Sequence, residues 1–396
     1  MSARFAGAAT IARVPRQRVA PTSTASTPPP IRTGAFLLAA QFPGQGHAEA
    51  LDRTVSAAVA AEEAGLDGVW LAEHHFVPYG VCPSATTLAA LLLGRTRRIR
   101  VGTAVSVLPT QHPVALGEQA ALLHLTSRGR FTLGVGRGGP WIDLDVFGTG
   151  VEAFESGFPE SLDLLLRWLR STRVSASGPR YTFPEVAVVP QATEQPLPFP
   201  SPGGSRGPEY AGPHSPVRGS GDGPPVMVAC TSMGTVQLAA RQGVPMLLGM
   251  HSGDDDKAAM VAAYRVAARE AGRTPDEIAR IEAEHMAAGL AQVEDSGAEA
   301  RRVLLKSMPG WFHHGLSAHR TVDGRERRMR DPREYTELLC DLHAVGTPQL
   351  CADRMAATAE RTGVRRFALL VEGSGDRELT LRNVERLGAE VMPLLV

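Results

Sequence analysis

Short apolar runs alternate with longer amphipathic runs along most of this sequence, and that alternation limits the possible folds more than any other feature. An apolar run of about four to eight residues is typical of a buried strand, whereas apolar positions spaced three and four apart are typical of a helix. The strand pattern occurs at residues 35–42, 68–75, 99–108, 131–137, 224–231, 245–251, 280–291 and 365–372. The helical pattern occurs near 49–64, 84–94, 114–125, 155–171, 234–242, 255–271, 349–361 and 378–388.

Strands separated by helices predict a parallel sheet, because parallel neighbours need a long crossover connection. The chain has 396 residues, 43% of them hydrophobic, which is enough for a large buried core. One unit of about 360 residues built from eight such repeats is more naturally a closed barrel than an open sheet. We therefore predict an α/β fold, a (β/α)8 TIM barrel with insertions, over residues 33–396.

Three segments interrupt the alternation. Residues 1–32 hold five Arg, no acidic residue and the run TSTASTPPP, which indicates a disordered N-terminal tail, although a transit peptide has a similar composition. Residues 190–225 are rich in Pro, Gly and Ser and predict a long inserted loop. Residues 306–334 show weak periodicity of either kind, so we predict no regular element there.

The charge balance excludes some classes of partner. Lys and Arg together number 41, and so do Asp and Glu, so nothing favours nucleic acid or an anionic membrane as the partner. No apolar run reaches the ~18 residues that a membrane span needs. The cysteines show no CxxC spacing, which favours reduced thiols and a cytoplasmic protein; they are Cys82, Cys230, Cys340 and Cys351.

The second strand pattern ends in titratable side chains. Residues 68–76 read GVWLAEHHF, so a carboxylate and two imidazoles follow an apolar run. Barrels place their chemistry at the carboxyl ends of strands, and imidazole titrates near neutral pH. This stretch therefore predicts the floor of an active site, with His74 and His75 on opposite faces if the strand stays regular. Two structural histidines remain the alternative.

A glycine-rich turn follows the fourth strand pattern. Residues 134–139 read GVGRGG and fit G-x-G-x-x-G, the dinucleotide fingerprint. That fingerprint opens a helix after a first strand, whereas PWIDLD follows here, so the context argues against a Rossmann enzyme that uses NAD. What remains is a glycine-lined approach, including Gly136 and Gly139, with Arg137 as a cation suited to a phosphate. A barrel loop with a surface arginine is the alternative.

A second candidate anion site lies at Ser232 and Thr235, where the helical pattern at 234–242 begins. Hydroxyls and free N–H groups at a helix N-terminus bind anions, but Ser and Thr also cap helices without any ligand. Zinc is disfavoured and we predict no metal, because the histidines show no HExxH spacing and no cysteine partner; they are His74, His75, His313, His314 and His319.

Taken together, these residues resemble the bacterial luciferase-like monooxygenase family, and its catalytic α subunit in particular. The resemblance runs from about residue 34 to the C-terminus. It rests on EHHF at 73–76, GRTRRIRVGTA at 94–104, LPTQHPV at 108–114, GRF at 129–131, VFGT at 146–149, GVPML at 243–247, GTP at 346–348, TGVRRFALL at 362–370 and VMP at 391–393. The family fold is a (β/α)8 barrel, which agrees with the strand count.

The resemblance implies a role for each candidate residue. Arg137, Ser232 and Thr235 would hold the phosphate of flavin mononucleotide (FMN). His75 would do the acid-base work with His74 as its partner. The resemblance also points to an acidic residue of the active-site region and to a non-prolyl cis peptide under the flavin ring; the matching positions are Asp143 and Ala104–Val105.

Two positions depart from luciferase. Gly136 stands where luciferase has a cysteine beside the flavin, and Met250 stands at an aromatic position, so light emission is not expected. The residues from about 306 to 335 lie between the seventh and eighth strand patterns, where the family carries a mobile lid. They include the charged run RERRMR at 325–330, and we predict a lid there.

The implied activity is that of a monooxygenase that uses reduced FMN (FMNH2) and dioxygen. A flavin hydroperoxide would oxygenate a small organic substrate, such as a natural-product intermediate or an aldehyde. The reduced flavin would come from a separate flavin reductase, and the protein would be a homodimer. A deazaflavin (F420)-dependent oxidoreductase of the same fold and a non-catalytic flavin-binding protein remain as alternatives.

Overall fold

The computed structural model describes residues 29–194, 223–325 and 330–395. The strands are β1 (Arg32–Leu37), β2 (Gly68–Leu71), β3 (Arg100–Thr103), β4 (Ser106–Val107), β5 (Phe131–Gly136), β6 (Arg173–Ser177), β7 (Thr182–Ala187), β8 (Val226–Cys230), β9 (Met246–Leu248), β10 (Met286–Val293), β11 (Ala344–Gly346) and β12 (Arg366–Leu370). The helices are α1 (His47–Glu63), α2 (Ala85–Arg95), α3 (Pro113–Thr126), α4 (Asp143–Val146), α5 (Phe158–Arg170), α6 (Met233–Gln242), α7 (Asp254–Glu270), α8 (Pro275–Glu282), α9 (Gly297–Ser317), α10 (Pro332–Leu342), α11 (Pro348–Thr362) and α12 (Arg377–Arg386).

Eight strands close into a parallel barrel, in the order β1, β2, β3, β5, β8, β9, β10 and β12, with β12 pairing back to β1. The prediction of a (β/α)8 barrel is confirmed, and each predicted strand overlaps one of these eight. The run at 99–108 forms two strands, β3 and β4, which are separated by the cis Ala104–Val105 peptide. The short strands β4 and β11 pair at the rim with β5 and β10.

Alternating strand residues build two cores. Outward-facing side chains such as Val69 and Val101 pack against the helices, while inward-facing ones such as Trp70 fill the barrel. Trp70 fits because the strands on either side carry glycine: a Cβ on Gly34 would lie 2.6 Å from the indole Nε1, and one on Gly102 would collide with the ring. The glycine positions therefore create space for a large inward side chain.

Side-chain caps fix where many helices begin. A Ser, Thr or Asp oxygen accepts a backbone N–H of the first turn at α2, α6, α8, α9, α10, α11 and α12. Among the described residues, no helix is both long and apolar enough to cross a membrane.

Helix α9 was not predicted. It runs through residue 317, so the interpretation of 306–334 as irregular is wrong for its first part. Its buried residues recur three and four apart at 300, 303, 304, 308, 311, 312 and 315, but Pro309 and Gly310 hide the pattern. Helices α8 and α10 and the antiparallel hairpin β6–β7 were also missed.

The predicted segment boundaries are only partly tested. Arg32 begins β1, so the barrel starts one residue before its predicted start at 33. Residues 1–28 of the predicted tail, 195–222 of the predicted insertion and 326–329 of the predicted lid lie outside the described residues.

Candidate active site

The chemistry-bearing residues gather at the carboxyl end of the barrel, where the loops after β2, β3, β5 and β8 meet. Strand β2 ends at Leu71, and the chain then leaves the sheet through residues 72–76, ending at Phe76 with φ of +59°. A positive φ is unusual for a bulky residue and clusters at functional sites. This irregular exit separates the side chains of the EHHF stretch.

Glu73 ties this exit to two other elements. Its Oε2 accepts the backbone N–H of Ala85 (3.1 Å) at the start of α2, and its Oε1 accepts that of Val107 (3.0 Å) in β4. The same Oε1 lies 3.6 Å from Nε2 of His75. Glu73 is thus a buried carboxylate that both holds the backbone and faces an imidazole. Glu73 was not among the predicted site residues, although it follows β2 just as the two histidines do.

His75 lies between two carboxylates. Its side chain is 8% exposed, and its Nε2 is buried without a hydrogen-bond partner in the part of the chain that the structure describes. Phe147 covers the ring at a centroid distance of 4.9 Å. Burial raises the pKa of Asp143, while the charge of His75 partly opposes that rise. A ring nitrogen with no structural partner, between two acids, is placed to exchange a proton with a bound molecule.

His74 has a different environment. The edge of the ring packs on Tyr79 at 5.0 Å, and Nδ1 is buried without a partner among the described residues. Part of the residue remains exposed, yet protein surrounds the ring closely enough that burial lowers its pKa to about 3, helped by His319 and His75. The two histidines therefore lie in different environments, but the predicted reason does not apply because β2 ends at Leu71. The cause is the irregular exit after Leu71, not the pleat of a strand that continues through both.

The predicted non-prolyl cis peptide between Ala104 and Val105 is present. It lies just before β4, which pairs with the end of β5 through Val107 and Gly136. A Cβ on Gly136 would come within 2.5 Å of the Val105 side chain, so glycine is needed for this approach. The same segment supplies the Val107 N–H that Glu73 accepts, which links the cis peptide to the carboxylate.

Arg137 follows β5 directly. It is half-buried, and its guanidinium carbon lies 4.2 Å from the ring centroid of Phe154, which holds the cation by a cation–π contact. Gly138 has φ of +66°, a conformation that favours glycine. A Cβ on Gly139 would collide with the Trp141 indole, so the clearest requirement for glycine at 139 is room for that ring.

Ser232 and Thr235 stand at the start of α6, beside the end of β5, because β5 and β8 are paired neighbours. Ser232 caps the helix: its Oγ accepts the N–H of Thr235 (3.4 Å) and lies 2.9 Å from the Thr235 hydroxyl. The capping role is therefore real. Strand pairing puts the start of α6 and Arg137 on adjacent loops. A cation with hydroxyls and N–H groups at a helix N-terminus is a donor set that suits a phosphate.

The chain after α9 reaches across to this site. Ile142 N–H donates to Arg320 O (2.9 Å), and Val322 N–H donates to Pro140 O (2.8 Å). The Trp141 and His319 rings are 4.7 Å apart. The later part of the predicted lid thus lies against the loop that carries Asp143.

The aromatic residues of α9 do not line the opening. Trp311 and Phe312 are 0% and 2% exposed, and Trp311 stacks on Tyr79 at 4.8 Å. They are part of the packed core, so the lid prediction now depends on the residues after Ser317. In the described ranges no group of three or more His, Cys, Asp and Glu side chains is arranged to hold a metal ion.

Comparison with known proteins agrees with this architecture. The model of the luciferase-like monooxygenase family matches residues 31–366, and the chain belongs to that family. Membership supports an enzyme of the oxidoreductase class. The chain is 27% identical over 382 residues to the alkanal monooxygenase alpha chain of a Kryptophanaron alfredi symbiont, with 92% of this chain and 98% of the relative covered.

Two solved structures share the fold. The oxygenating constituent of 3,6-diketocamphane monooxygenase from Pseudomonas putida, in complex with FMN, has a TM-score of 0.68 at 21% identity, covering 93% of this chain and 99% of that one. An F420-dependent secondary alcohol dehydrogenase has a TM-score of 0.65 at 17% identity, with coverages of 93% and 99%.

Proposed function

We propose that this protein is a monooxygenase that takes reduced FMN from a separate reductase and uses dioxygen to oxygenate a small organic substrate. The observation that carries the proposal is the position of His75, between Glu73 and Asp143, at the same barrel end as Arg137 and the start of α6. The similarity to an alkanal monooxygenase chain and to an FMN-bound monooxygenase supports it.

The residues present fit FMN. Arg137 with the Ser232 and Thr235 hydroxyls would hold the phosphate, and residues 104 and 105 would lie under the ring system. When bound, the reduced flavin supplies the electrons that activate dioxygen. The protein's own residues would carry out the remaining tasks.

The protein's own work is proton management and exclusion of water. His75 would hold or deliver a proton at Nε2, because that nitrogen has no structural partner to compete. Glu73 would stabilise the protonated ring at 3.6 Å while two backbone N–H groups keep the carboxylate in place. Phe147, 45% exposed, shields His75 on one side and presents an apolar surface to a substrate.

A deazaflavin-dependent reaction is the second candidate, because the F420-dependent dehydrogenase shares the fold over 93% of this chain. The same histidine could then take a proton from an alcohol. The two candidates differ in their use of oxygen, which a labelling experiment can measure.

The test is to supply the protein with reduced FMN, ¹⁸O₂ and a panel of aldehydes, ketones and aromatic substrates. We expect one ¹⁸O atom in the product and no turnover with reduced F420. Oxidation of an alcohol with F420 and no oxygen consumption would replace this proposal with the dehydrogenase.

The proposed role of Arg137 in FMN binding is tested with Arg137→Ala, which should weaken FMN affinity ~10- to 100-fold. Arg173→Ala is the matched control, because Arg173 is exposed in β6 and, among the described residues, its ion pair is with Glu185 at 2.6 Å. Equal FMN affinity in the two variants would remove Arg137 from the site.

A further inference from the structure

The opposite end of the barrel holds an arginine-lined cavity of about 450 Å³, part of it open to solvent. None of the residues of the candidate active site lines it. The strands are parallel, so this is the end where they begin. The lining residues include the first residues of β1, β2, β3, β10 and β12, namely Arg32, Gly68, Arg100, Met286 and Arg366, together with Asp67, Arg98 and Trp70.

Within the described residues, the four arginines that line this cavity outnumber the carboxylates that contact them. Arg32 and Arg366 are direct cross-strand partners, and like charges directly opposite one another are unfavourable. Each has its own carboxylate: Arg32 contacts Asp67 at 3.0 Å, and Arg366 contacts Glu284 at 2.5 Å.

Arg100 has no such partner. It is half-buried, and its guanidinium makes no hydrogen bond or ion pair within the described part of the chain. Burial lowers its pKa and the nearby charge of Arg366 lowers it further, while Glu284 and Asp67 oppose that shift only in part. Arg98 adds a fourth guanidinium at the exposed rim. The Glu62 carboxylate, whose pKa the charge of Arg98 helps to lower, already accepts the backbone N–H groups of residues 97–99.

The preceding chain does not supply the missing charge, since residues 1–31 contain no Asp or Glu. We propose that the cavity is a binding site for a phosphoryl dianion, either inorganic phosphate or a phosphate monoester, held by Arg100 with Arg32, Arg98 and Arg366. Guanidinium groups present paired N–H donors that match phosphate oxygens, and the open side of the cavity gives an anion access to them. The site is separate from the proposed flavin site and does not depend on it.

The test uses an Arg137→Ala background, so that phosphate bound at the flavin site does not contribute. Inorganic phosphate is titrated by calorimetry and by thermal unfolding, with chloride keeping the ionic strength constant. We expect saturable binding and a rise in Tm. Adding Arg100→Gln should weaken the affinity ~10- to 100-fold, because a charged donor is lost.

Adding Arg173→Gln should leave the affinity unchanged, since that arginine lies on the β6–β7 hairpin away from the cavity. If Arg100→Gln does not fold, Arg98→Gln at the exposed rim serves in its place, with a smaller expected loss. Glycerol 3-phosphate is the second probe: tighter binding than inorganic phosphate indicates a monoester ligand, and weaker binding indicates the free anion. No saturable phosphate binding in the Arg137→Ala protein, or equal affinity after Arg100→Gln and Arg98→Gln, would overturn the site.

Discussion

Two buried glutamates follow the ends of barrel strands, and their surroundings differ. Glu372, after β12, accepts Leu38 N–H (2.7 Å) and the Thr54 hydroxyl (2.6 Å), and it faces Arg53 at 3.7 Å. Glu73, after β2, also accepts two hydrogen bonds, but the group facing it is His75 at 3.6 Å. One carboxylate has a permanent cation as its partner, and the other has a ring that can gain or lose a proton.

This difference in partners gives Glu372 a structural role and makes Glu73 the candidate for a catalytic one. Arg53 also donates to the carbonyls of Ala40 and Gly375, so the ion pair after β12 is enclosed by protein on both sides. Burial raises the pKa of Glu372, and the arginine opposes that rise. The pair after β2 has an unpartnered ring nitrogen instead. We therefore assign the buried carboxylate after β12 to stability and propose that the one after β2 supports proton transfer.

The largest expected effect is on turnover after removal of the titratable partner. His75→Asn should lower kcat by about 10²–10⁴ while changing FMN affinity little, since the ring transfers a proton and does not hold the cofactor. His74→Asn is the matched control and should lose much less. Steady-state kinetics at saturating reduced FMN measure both variants, and equal kcat values for the His75 variant and the wild type would contradict the contrast.

The next effect is on protein stability and concerns the end of β12, where Arg53 faces Glu372. Arg53→Leu should lower the free energy of unfolding by about 3–5 kcal/mol, because it leaves a buried carboxylate without its cation. Arg377→Ala breaks an exposed pair with Asp52 and should cost at most about 1 kcal/mol. Urea denaturation gives both values, and similar losses would show that the buried pair is no more important than a surface one.

Making the same substitution, glutamate to glutamine, at each of the two positions sharpens the comparison. Glu73→Gln keeps one of the two oxygen acceptors and removes the charge beside His75, so we expect kcat to fall ~10- to 100-fold. Glu372→Gln should lower Tm and leave kcat close to wild type at temperatures where the variant is folded. The ratio of the two kcat values, measured well below both Tm values, is the decisive quantity; a ratio near one would remove Glu73 from catalysis.

The last expected effect concerns pH. The pKa of His74 is lowered to about 3 in the folded protein and rises to about 6.5 on unfolding, so the unfolded chain binds the extra proton between these values. Stability from the neutral ring is complete above pH 6.5 and is lost as pH falls toward 3, by up to about 1.4 kcal/mol per pH unit. His74→Asn should flatten the curve of unfolding free energy against pH in that window. His47→Asn, at an exposed position, should leave the curve unchanged.

Local patterns predicted much of this protein. The eight barrel strands were found because each carries its own apolar run, and most of the helices because their apolar spacing lies within one segment. The EHHF stretch identified the chemically active strand end for the same reason. Helix α9 was missed because Pro309 and Gly310 interrupt its pattern, although packing on Tyr79 and the barrel maintains the helix.

The amino-acid sequence by itself determined the barrel, the family resemblance and the residue types at the carboxyl end of the strands. Tertiary structure decided which of those residues act together. The bonds from Glu73 to Ala85 and Val107 span 12 and 34 positions, and the pairing of Arg32 with Arg366 joins the two ends of the barrel sequence. No local pattern encodes such contacts, because barrel closure alone brings these positions together. The same closure sets the environments that give neighbouring His74 and His75 different chemistry.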